Sequence, residues 1–419
     1  QHRPAWLVTL CGVFLTSIAT ADNWPRFRGP NGQGISDART VPTKWSEQDY
    51  NWKIELPGTG HSSPAAWDGR LFVTCADQKT GRGMLLCVNG DDGAERWRHE
   101  QDLAKYPLNN LNSYAGPTPA VDEECVYTLW PGRRTTLLVA LTHEGRPVWT
   151  VPLAGVRTRH GQGSSPIVCG PYVIVSHEQE TNNDGVTSQW LAIDRCTGEV
   201  KWRREGPGVV NASYSTPCTY EDSEGRLQLV FASNAHGIAG VDPQTGDVLW
   251  EVASALPARV VGSPVVAGDL VIGTCGEGGR GLRLTAVRPS REGSSYRVTE
   301  VYSLESRVVP YVPTSVAYKG MLFAFHDSGV VSCLMSDTGR VVWSEKPAGR
   351  FFGSPICVDG KLYAMTVDGD VVVLAAEPEY KPLAVNPLGE KSHATPAAAD
   401  GRLLVRTFSH LISIGGGGD

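Results

Sequence analysis

Histidine, arginine and tyrosine side chains recur just ahead of a short phrase that is repeated along this chain. The phrase is a small or hydroxyl residue beside Pro, leading into an apolar run, as in Ser164-Ser165-Pro166. The candidate binding residues, which stand just before the copies of this phrase, are His61, Tyr114, His160, Gln162, Asn211, Tyr214, Arg259, Tyr311, Arg350, Phe352 and His393. Arg offers a fork of donors to carboxylates, while Tyr and His add directional hydrogen bonds and stacking faces. If the fold brings them together, this set suits a small anionic or planar ligand.

Three interpretations of these residues stay open. They line a structural, water-filled channel, they bind a small ligand or peptide, or some of the histidines share a metal ion. No Ser-His-Asp or paired-carboxylate spacing stands out elsewhere, so we assign no catalytic residue and no metal ligand. The best pair for acid–base chemistry is His160 with Arg259. The stretch His177-Glu178-Gln179-Glu180 is interpreted as a solvated hairpin tip.

The elements that must position these residues are short strands in a repeat. The prolines of the phrase recur every 41 to 55 residues, at positions 64, 119, 166, 217, 264, 313, 355 and 396. Each unit then holds three further β-branched or aromatic runs, with a Gly turn before the last, as at Thr197-Gly198-Glu199. A period of this length built from short strands indicates a propeller.

An aromatic residue follows most of these turns and is expected to pack between neighbouring sheets. These structural residues are Trp52, Trp97, Trp149, Trp202, Trp250 and Trp343, with Tyr302 in the fifth unit. The eighth unit lacks a fourth strand, and the run that carries Trp52 stands before the first unit begins. An N-terminal strand would therefore complete the last blade and leave no open edge. We predict an all-β, eight-bladed β-propeller of four-stranded antiparallel blades, closed in this way.

The ends of the chain predict export. Residues 1–21 have the pattern of a signal peptide, with Arg3, the apolar run Trp6–Ile18 and a small-residue cleavage site. We divide the chain into the signal peptide 1–21, an N-terminal arm 22–50, the propeller 51–414 and a Gly-rich tail 415–419. The arm packs on the propeller or docks a partner. The expected location is the periplasm, the cell envelope or the outside, with a membrane contact only if the signal segment is retained.

The composition limits the classes of partner that this chain is expected to bind. The net charge is −6, and Lys and Arg form no stripe, which argues against nucleic acid. Nine cysteines follow the signal segment, an odd number, and most lie in strand-like runs as small buried hydrophobes. A monomer is expected.

The phrase Leu191-Ala192-Ile193-Asp194-x-x-Thr197-Gly198-Glu199-x-x-Trp202 resembles the repeat of the pyrroloquinoline-quinone (PQQ) propeller superfamily. Residues 238–250 match that repeat again, and residues 333–343 form a looser copy. The resemblance covers about residues 50 to 414. It implies the propeller fold, but the superfamily contains both quinoprotein dehydrogenases and non-enzymatic scaffolds of the BamB type, so function is not implied.

The dehydrogenase branch of the superfamily would bring PQQ with Ca²⁺. Its typical adjacent-cysteine pair is absent from this sequence, the blades are close to minimal, and no Cys-x-x-Cys-His haem motif is present. We therefore expect a non-catalytic propeller, without a cofactor, that binds a protein partner or a small ligand at its channel mouth. The alternatives are a PQQ- or metal-dependent oxidoreductase with a reduced motif set, and a lyase-like or hydrolytic propeller using His160 and Arg259.

Overall fold

The computed structural model describes residues 22–416, apart from residues 110, 159, 182–186, 207, 208, 210 and 307. The signal segment 1–21 and the last three residues of the tail lie outside the described residues. Within them the chain forms 33 strands and three short 3-10 helices, at Pro30–Gly32, Glu47–Asp49 and Ala253–Ala255. No helix in this part of the chain has the length and apolar character needed to cross a bilayer.

The strands are numbered in chain order, and two of them precede the first blade. These are β1 (Ile35–Ser36) and β2 (Tyr50–Glu55). Blades one to four contain β3 (Ala65–Trp67), β4 (Arg70–Ala76), β5 (Gly83–Asn89), β6 (Glu95–Gln101), β7 (Ala120–Val121), β8 (Cys125–Trp130), β9 (Thr135–Thr142), β10 (Pro147–Ala154), β11 (Ile167–Cys169), β12 (Tyr172–His177), β13 (Ser188–Asp194), β14 (Val200–Gly206), β15 (Cys218–Glu221), β16 (Leu227–Ser233), β17 (Gly237–Val241) and β18 (Val248–Val252).

Blades five to eight follow the same plan. They contain β19 (Val265–Ala267), β20 (Leu270–Glu277), β21 (Arg280–Glu292), β22 (Ser295–Leu304), β23 (Val316–Tyr318), β24 (Met321–Phe325), β25 (Val331–Met335), β26 (Val341–Glu345), β27 (Ile356–Val358), β28 (Lys361–Met365), β29 (Asp370–Ala375), β30 (Pro382–Pro387), β31 (Ala397–Ala399), β32 (Arg402–Arg406) and β33 (His410–Gly415).

The sheet order confirms the predicted eight-bladed propeller and its closure. Each blade is a four-stranded antiparallel meander, and the last has the order β2-β33-β32-β31, so the N-terminal strand supplies its outer edge. One strand was not predicted: β1 pairs in parallel with β27, the innermost strand of blade seven, and makes that sheet five-stranded. The first strands after the prolines therefore surround a central channel, as the repeat required.

Tryptophans of the outer strands join each blade to the next. Trp149 of blade two donates its indole N–H to the Arg195 carbonyl in the turn of blade three (2.9 Å), and Trp202 reaches the Pro243 carbonyl of blade four (2.9 Å). The partner turn needs glycine for two reasons. Gly198 has φ of 76°, and a Cβ there would come within 2.8 Å of the Trp149 ring.

The same contact recurs at six of the eight steps around the ring; the outer strand of blade seven carries Leu383 in place of the aromatic residue. Trp52, Trp97 and Trp343 donate to backbone carbonyls of the following blade in the same way, and the Tyr302 hydroxyl donates to the Ser336 carbonyl. Trp250 instead donates to the Gln228 side chain within its own blade (2.6 Å). Blade four is thus joined to blade five without this indole contact.

The blade interiors are apolar and contain most of the cysteines. Eight of the nine described cysteines are buried, Cys196 is exposed, and all nine are free thiols. Burial raises the pKa of Cys275 and Cys333, which disfavours their thiolates. These buried cysteines act as small apolar residues of the core.

The interpretation of 177–180 as a solvated hairpin tip is wrong. His177, Glu178 and Gln179 are at most 2 % exposed, because the chain after β12 is covered by neighbouring loops. The backbone N–H of Arg157 donates to the Gln179 side chain, and the Thr181 N–H donates to the Val209 carbonyl. The loops that lead into blades three and four therefore cover what would otherwise be a hairpin tip.

Candidate functional site

A cavity of about 510 Å³ occupies the central channel. Its wall is built from all eight blades, because the loop that leads into each innermost strand reaches the channel. Eight of the eleven residues proposed from the sequence line it: His61, His160, Asn211, Tyr214, Arg259, Tyr311, Phe352 and His393. Residues separated by more than three hundred positions therefore share one space.

A ring of hydroxyl groups forms part of the cavity wall. In each step around this ring, the backbone N–H of a phrase residue donates to the hydroxyl of the next blade, at 2.9–3.1 Å. The seven accepting residues are Thr118, Ser165, Thr216, Ser263, Thr314, Ser354 and Thr395. All seven line the cavity and are at most 8 % exposed. The repeated hydroxyl thus joins blades as well as forming the wall.

The hydroxyl ring has one open step, at the seam where the chain ends meet. Ser63 occupies the equivalent place in blade one, and its N–H donates to Thr118 in the usual way (2.9 Å). Its own hydroxyl is buried and has no hydrogen-bond partner among the described residues. The nearby Ser62 hydroxyl instead accepts a bond from the buried guanidinium of Arg406. The ring is therefore regular except between blades eight and one.

One side of the mouth is a polar cluster centred on Arg259. Its Nη2 donates to Asn211 Oδ1 (2.8 Å) and pairs with Glu180 (3.4 Å), while Nη1 lies 3.2 Å from His160 Nε2. Burial lowers the pKa of Arg259, but the Tyr311 hydroxyl and Glu180 outweigh it and the net shift is upward. The guanidinium therefore stays charged and its charge is balanced inside the protein.

The opposite side of the mouth is aromatic. The ring centroids of His61 and His393 are 4.7 Å apart, and both imidazoles lie against Phe408, at 5.2 and 5.1 Å. Phe352 packs on His393 at 4.4 Å. Burial, with His393 and Arg406 close by, lowers the pKa of His61 to about 3, and burial lowers that of His393 to about 4. Both histidines are therefore neutral at pH 7 and offer flat, uncharged faces.

The N-terminal arm closes the other end of the channel. It lies beyond the prolines, opposite the mouth, where Trp24 pairs with Ala66 of blade one and Gln33 accepts from Val266 of blade five. Between these points Phe27 lines the base of the cavity. Of the two roles considered for the arm, packing on the propeller and docking a partner, the first is observed: the arm crosses the channel and makes the cavity a cup with one mouth.

Two arginines of the arm lie beneath the cup. Arg28 is fully buried and donates to the carbonyls of Thr314 (3.0 Å), Pro355 (2.9 Å) and Ser315 (2.7 Å) across blades six and seven. Arg26 is 6 % exposed and donates to the Pro217 carbonyl (2.5 Å). Burial lowers the pKa of Arg28 to about 9 and that of Arg26 to about 10, so both remain charged at pH 7.

Three residues proposed for the mouth do not line the cup. Tyr114 is buried and donates to the Tyr106 carbonyl (2.9 Å), and Gln162 is buried and donates to the Ser176 carbonyl (3.3 Å). Arg350 is exposed outside the cavity. Their loops reach the mouth, but these side chains turn into the blade or out to water, which spacing along the chain cannot show.

Sequence reasoning missed several parts of the cup. Phe27 belongs to the arm, Glu277 is the last residue of β20, and Asp327 lies in the turn after β24. Asp327 accepts hydrogen bonds from the N–H groups of Tyr311 and Val312. The hydroxyl ring could have been found, because its members are the conspicuous Ser and Thr of the repeated phrase.

The residues of the cup do not fit PQQ with its Ca²⁺. In the PQQ dehydrogenases the quinone is bound together with Ca²⁺, so a fitting cup would also have to supply a set of ligands for that cation. No group of three or more His, Cys, Asp or Glu side chains in the described part of the chain is placed to hold a metal ion. We therefore derive no chemistry through this cofactor.

Comparison with known structures shows the same fold at low sequence identity. BamB from Moraxella catarrhalis is 14 % identical with a TM-score of 0.60, covering 86 % of this chain and 95 % of that one. A europium-containing methanol dehydrogenase is 11 % identical with a TM-score of 0.66, covering 93 % and 90 %. A quinohemoprotein alcohol dehydrogenase from Comamonas testosteroni is 13 % identical with a TM-score of 0.66, covering 98 % and 83 %.

Comparison at the level of sequence assigns the family. None of the curated proteins is similar enough to count as a match. The family model described as outer membrane protein assembly factor BamB matches residues 81–310 and 305–379, which is more than half of the chain. With eight blades, the repeated phrase and this match, the chain belongs to the PQQ-like β-propeller family of that BamB model.

Proposed function

We propose that this protein is an exported, non-catalytic binding propeller whose cup receives a small planar ligand, free or displayed by a protein partner. The observation that carries the proposal is the cup, closed at its base and open at one mouth. Its volume of about 510 Å³ falls within the usual range of small-molecule sites, about 300–1,000 Å³. A structural channel has no need of a floor, whereas a binding site gains buried contact area from one.

The two sides of the mouth support a planar ligand. The neutral faces of His61, His393 and Phe352 form an apolar, aromatic side, and stacking on such faces favours flat groups. Across the cup, Tyr214 and Asn211 provide polar atoms that can orient the ligand.

Two further observations support the partner and the location. Leu111 lines the mouth and is 49 % exposed, so a partner could cover it while placing a group in the cup. Export rests on the signal-like residues 1–21 and on the outer-membrane description of the family model.

The proposal is tested with three flat probes of similar shape: benzoate, benzamide and benzamidine. Saturation-transfer NMR on the mature protein should show contact with at least one of them. In a Val261→Trp variant the new indole would fill the cup, because Val261 lines it, and the signal should be lost. Val148→Trp is the matched control, since Val148 is 43 % exposed on an outer strand. Absence of all three signals in the wild type, or equal signals in both variants, would refute the proposal.

A second candidate function is lyase-like cleavage of an acidic polysaccharide. The observation that favours it is the contact of His160 Nε2 with Arg259 at 3.2 Å, with Tyr214 and Asn211 alongside. Elimination needs a base beside groups that neutralise the sugar carboxylate. Incubation with polygalacturonate would reveal the unsaturated product by its ultraviolet absorbance. Product in the wild type but not in His160→Ala would establish this function; no product would exclude it for that polymer.

A further inference from the structure

The hydroxyl ring has hydrogen-bonding capacity that the fold does not use. Each ring hydroxyl accepts one bond from a backbone N–H of the preceding blade. A hydroxyl also carries one hydrogen to donate. Among the described residues, none of the seven ring hydroxyls donates a bond to the protein. Since all seven line the cavity, these hydrogens can turn toward the space inside the ring.

The charge beneath the ring is positive and is not balanced by carboxylates. In the described part of the chain, the hydrogen bonds of Arg26 and Arg28 go to backbone carbonyls, and neither guanidinium takes part in an ion pair. Arg28 Nη1 binds the carbonyl of Thr314, which is itself a ring residue. Arg26 Nε is buried with no hydrogen-bond partner in the same part of the chain. Two buried cations therefore lie against the side of the ring away from the mouth.

Charge changes along the axis of the cup. Toward the mouth, Arg259 is paired with Glu180, and Glu277 and Asp327 add negative charge. Toward the base, the described residues provide the ring hydroxyls, Phe27 and the two buried guanidinium groups. An oxyanion is stabilised by hydroxyl donors and nearby cations, and it is repelled by carboxylates. The base of the cup therefore favours negative charge more than the mouth does.

We propose that the hydroxyl ring is an oxyanion site, so that the ligand of the cup carries a carboxylate or phosphate at its inner end and a flat group at its outer end. This inference rests on the proposed function, because it places the ligand in the same cup. It specifies the chemical class of the ligand and the end that enters first. The oxyanion would accept bonds from several ring hydroxyls above Arg26 and Arg28, while the flat part lies between Phe352 and Tyr214.

The relative affinities of the three probes test the inference. Benzoate, the oxyanion, should bind at least about tenfold more tightly than benzamide, which corresponds to about 1.4 kcal/mol, and benzamidine should bind most weakly. A Ser263→Ala/Ser354→Ala variant, which lacks two ring donors, should weaken benzoate about tenfold or more and leave benzamidine unchanged. Ser63→Ala is the matched control, because Ser63 stands at the equivalent place in blade one but is not among the residues that line the cup.

The outcomes separate this inference from the proposed function. If benzamide or benzamidine binds more tightly than benzoate, the oxyanion inference is overturned while binding in the cup stands. If none of the aromatic probes binds, a crystal soaked in selenate decides, because selenium can be located by its anomalous scattering. Selenate bound within the ring would support the oxyanion site and reject only the flat ligand. An empty ring would reject both. Circular dichroism of the double variant shows whether it is folded, and selenate soaking of the wild type needs no variant.

Discussion

Replacing Ser165 by Ala and replacing Ser63 by Ala remove the same atom from equivalent places in two blades. Ser165 Oγ accepts the N–H of Thr118 at 2.9 Å, and the side chain is buried. Ser63 Oγ is equally buried but has no partner in the described part of the chain. The pair therefore isolates one hydrogen bond from the loss of a hydroxyl as such.

The expected magnitudes follow from these contacts. Ser165→Ala leaves the N–H of Thr118 buried without its acceptor, which costs about 1–3 kcal/mol. Ser63→Ala removes an unsatisfied polar atom, so the free energy of unfolding should change by no more than about 0.5 kcal/mol, or rise slightly. Ser165→Thr keeps the hydroxyl and should retain most of the stability.

Urea denaturation followed by tryptophan fluorescence measures the difference. The comparison is valid only where the variants share the wild-type m-value, since the midpoint then reports stability alone. An equal loss in Ser63→Ala and Ser165→Ala would refute the argument, because the cost would then arise from the hydroxyl position rather than from the bond between blades. If Ser165→Ala loses no stability, a water molecule has replaced the Ser165 hydroxyl as the acceptor of the Thr118 N–H.

Trp202→Ala should lower the free energy of unfolding by about 3–5 kcal/mol in the same denaturation assay, because it leaves a cavity between blades three and four. A loss below about 1 kcal/mol would contradict the role of this tryptophan in joining the blades. Acid should destabilise the protein through His61 and His393, whose folded pKa values of about 3 and about 4 lie below the ~6.5 of an unfolded histidine. Their contribution to stability is complete above about pH 6.5 and is lost as the pH falls toward these folded pKa values. A His61→Gln/His393→Gln variant should therefore lose less Tm than the wild type between pH 6 and pH 4. An equal loss of Tm in both proteins would contradict this. Burial raises the pKa of Glu178 to about 7, so its protonated form stabilises the fold at low pH and this contribution is lost as the pH rises through 7. Glu178→Gln should therefore raise Tm at pH 8 and change it little at pH 5, and equal changes at both would refute the assignment. In a dye-linked dehydrogenase assay with PQQ, with and without Ca²⁺, we expect no turnover, and turnover would restore the oxidoreductase alternative.

The sequence could predict the architecture because the signals for it are local. The spacing of the prolines, the Gly turns and the following aromatic residue all lie within one repeat, and each repeat folds into one blade. Closure could be predicted for the same reason, since a missing strand at one end and an extra one carrying Trp52 at the other are visible without coordinates. The unpredicted strand β1 belongs to the arm, whose sequence does not repeat.

The candidate site was predictable as a set of loops, and less so as a set of side chains. The repeat predicted that the loops before each proline converge, and eight of the eleven proposed residues do line the cup. It could not show that Tyr114 and Gln162 turn inward, because a rotation about one side-chain bond decides this. Nor could it show that His177 and Glu178 are covered by other loops.

Interactions between blades and arm were decided by the tertiary structure alone. Arg259 was proposed as a free donor for an anion, but Glu180, seventy-nine positions away, balances its charge. The arm could have lain on any surface, and only the structure places Phe27 and Arg28 across the channel. Local sequence determined the strands, the turns and the order of the blades, because these depend on neighbouring residues. The depth of the cup and the sign of the charge at each end depend on contacts across hundreds of positions, and these exist only in the closed ring.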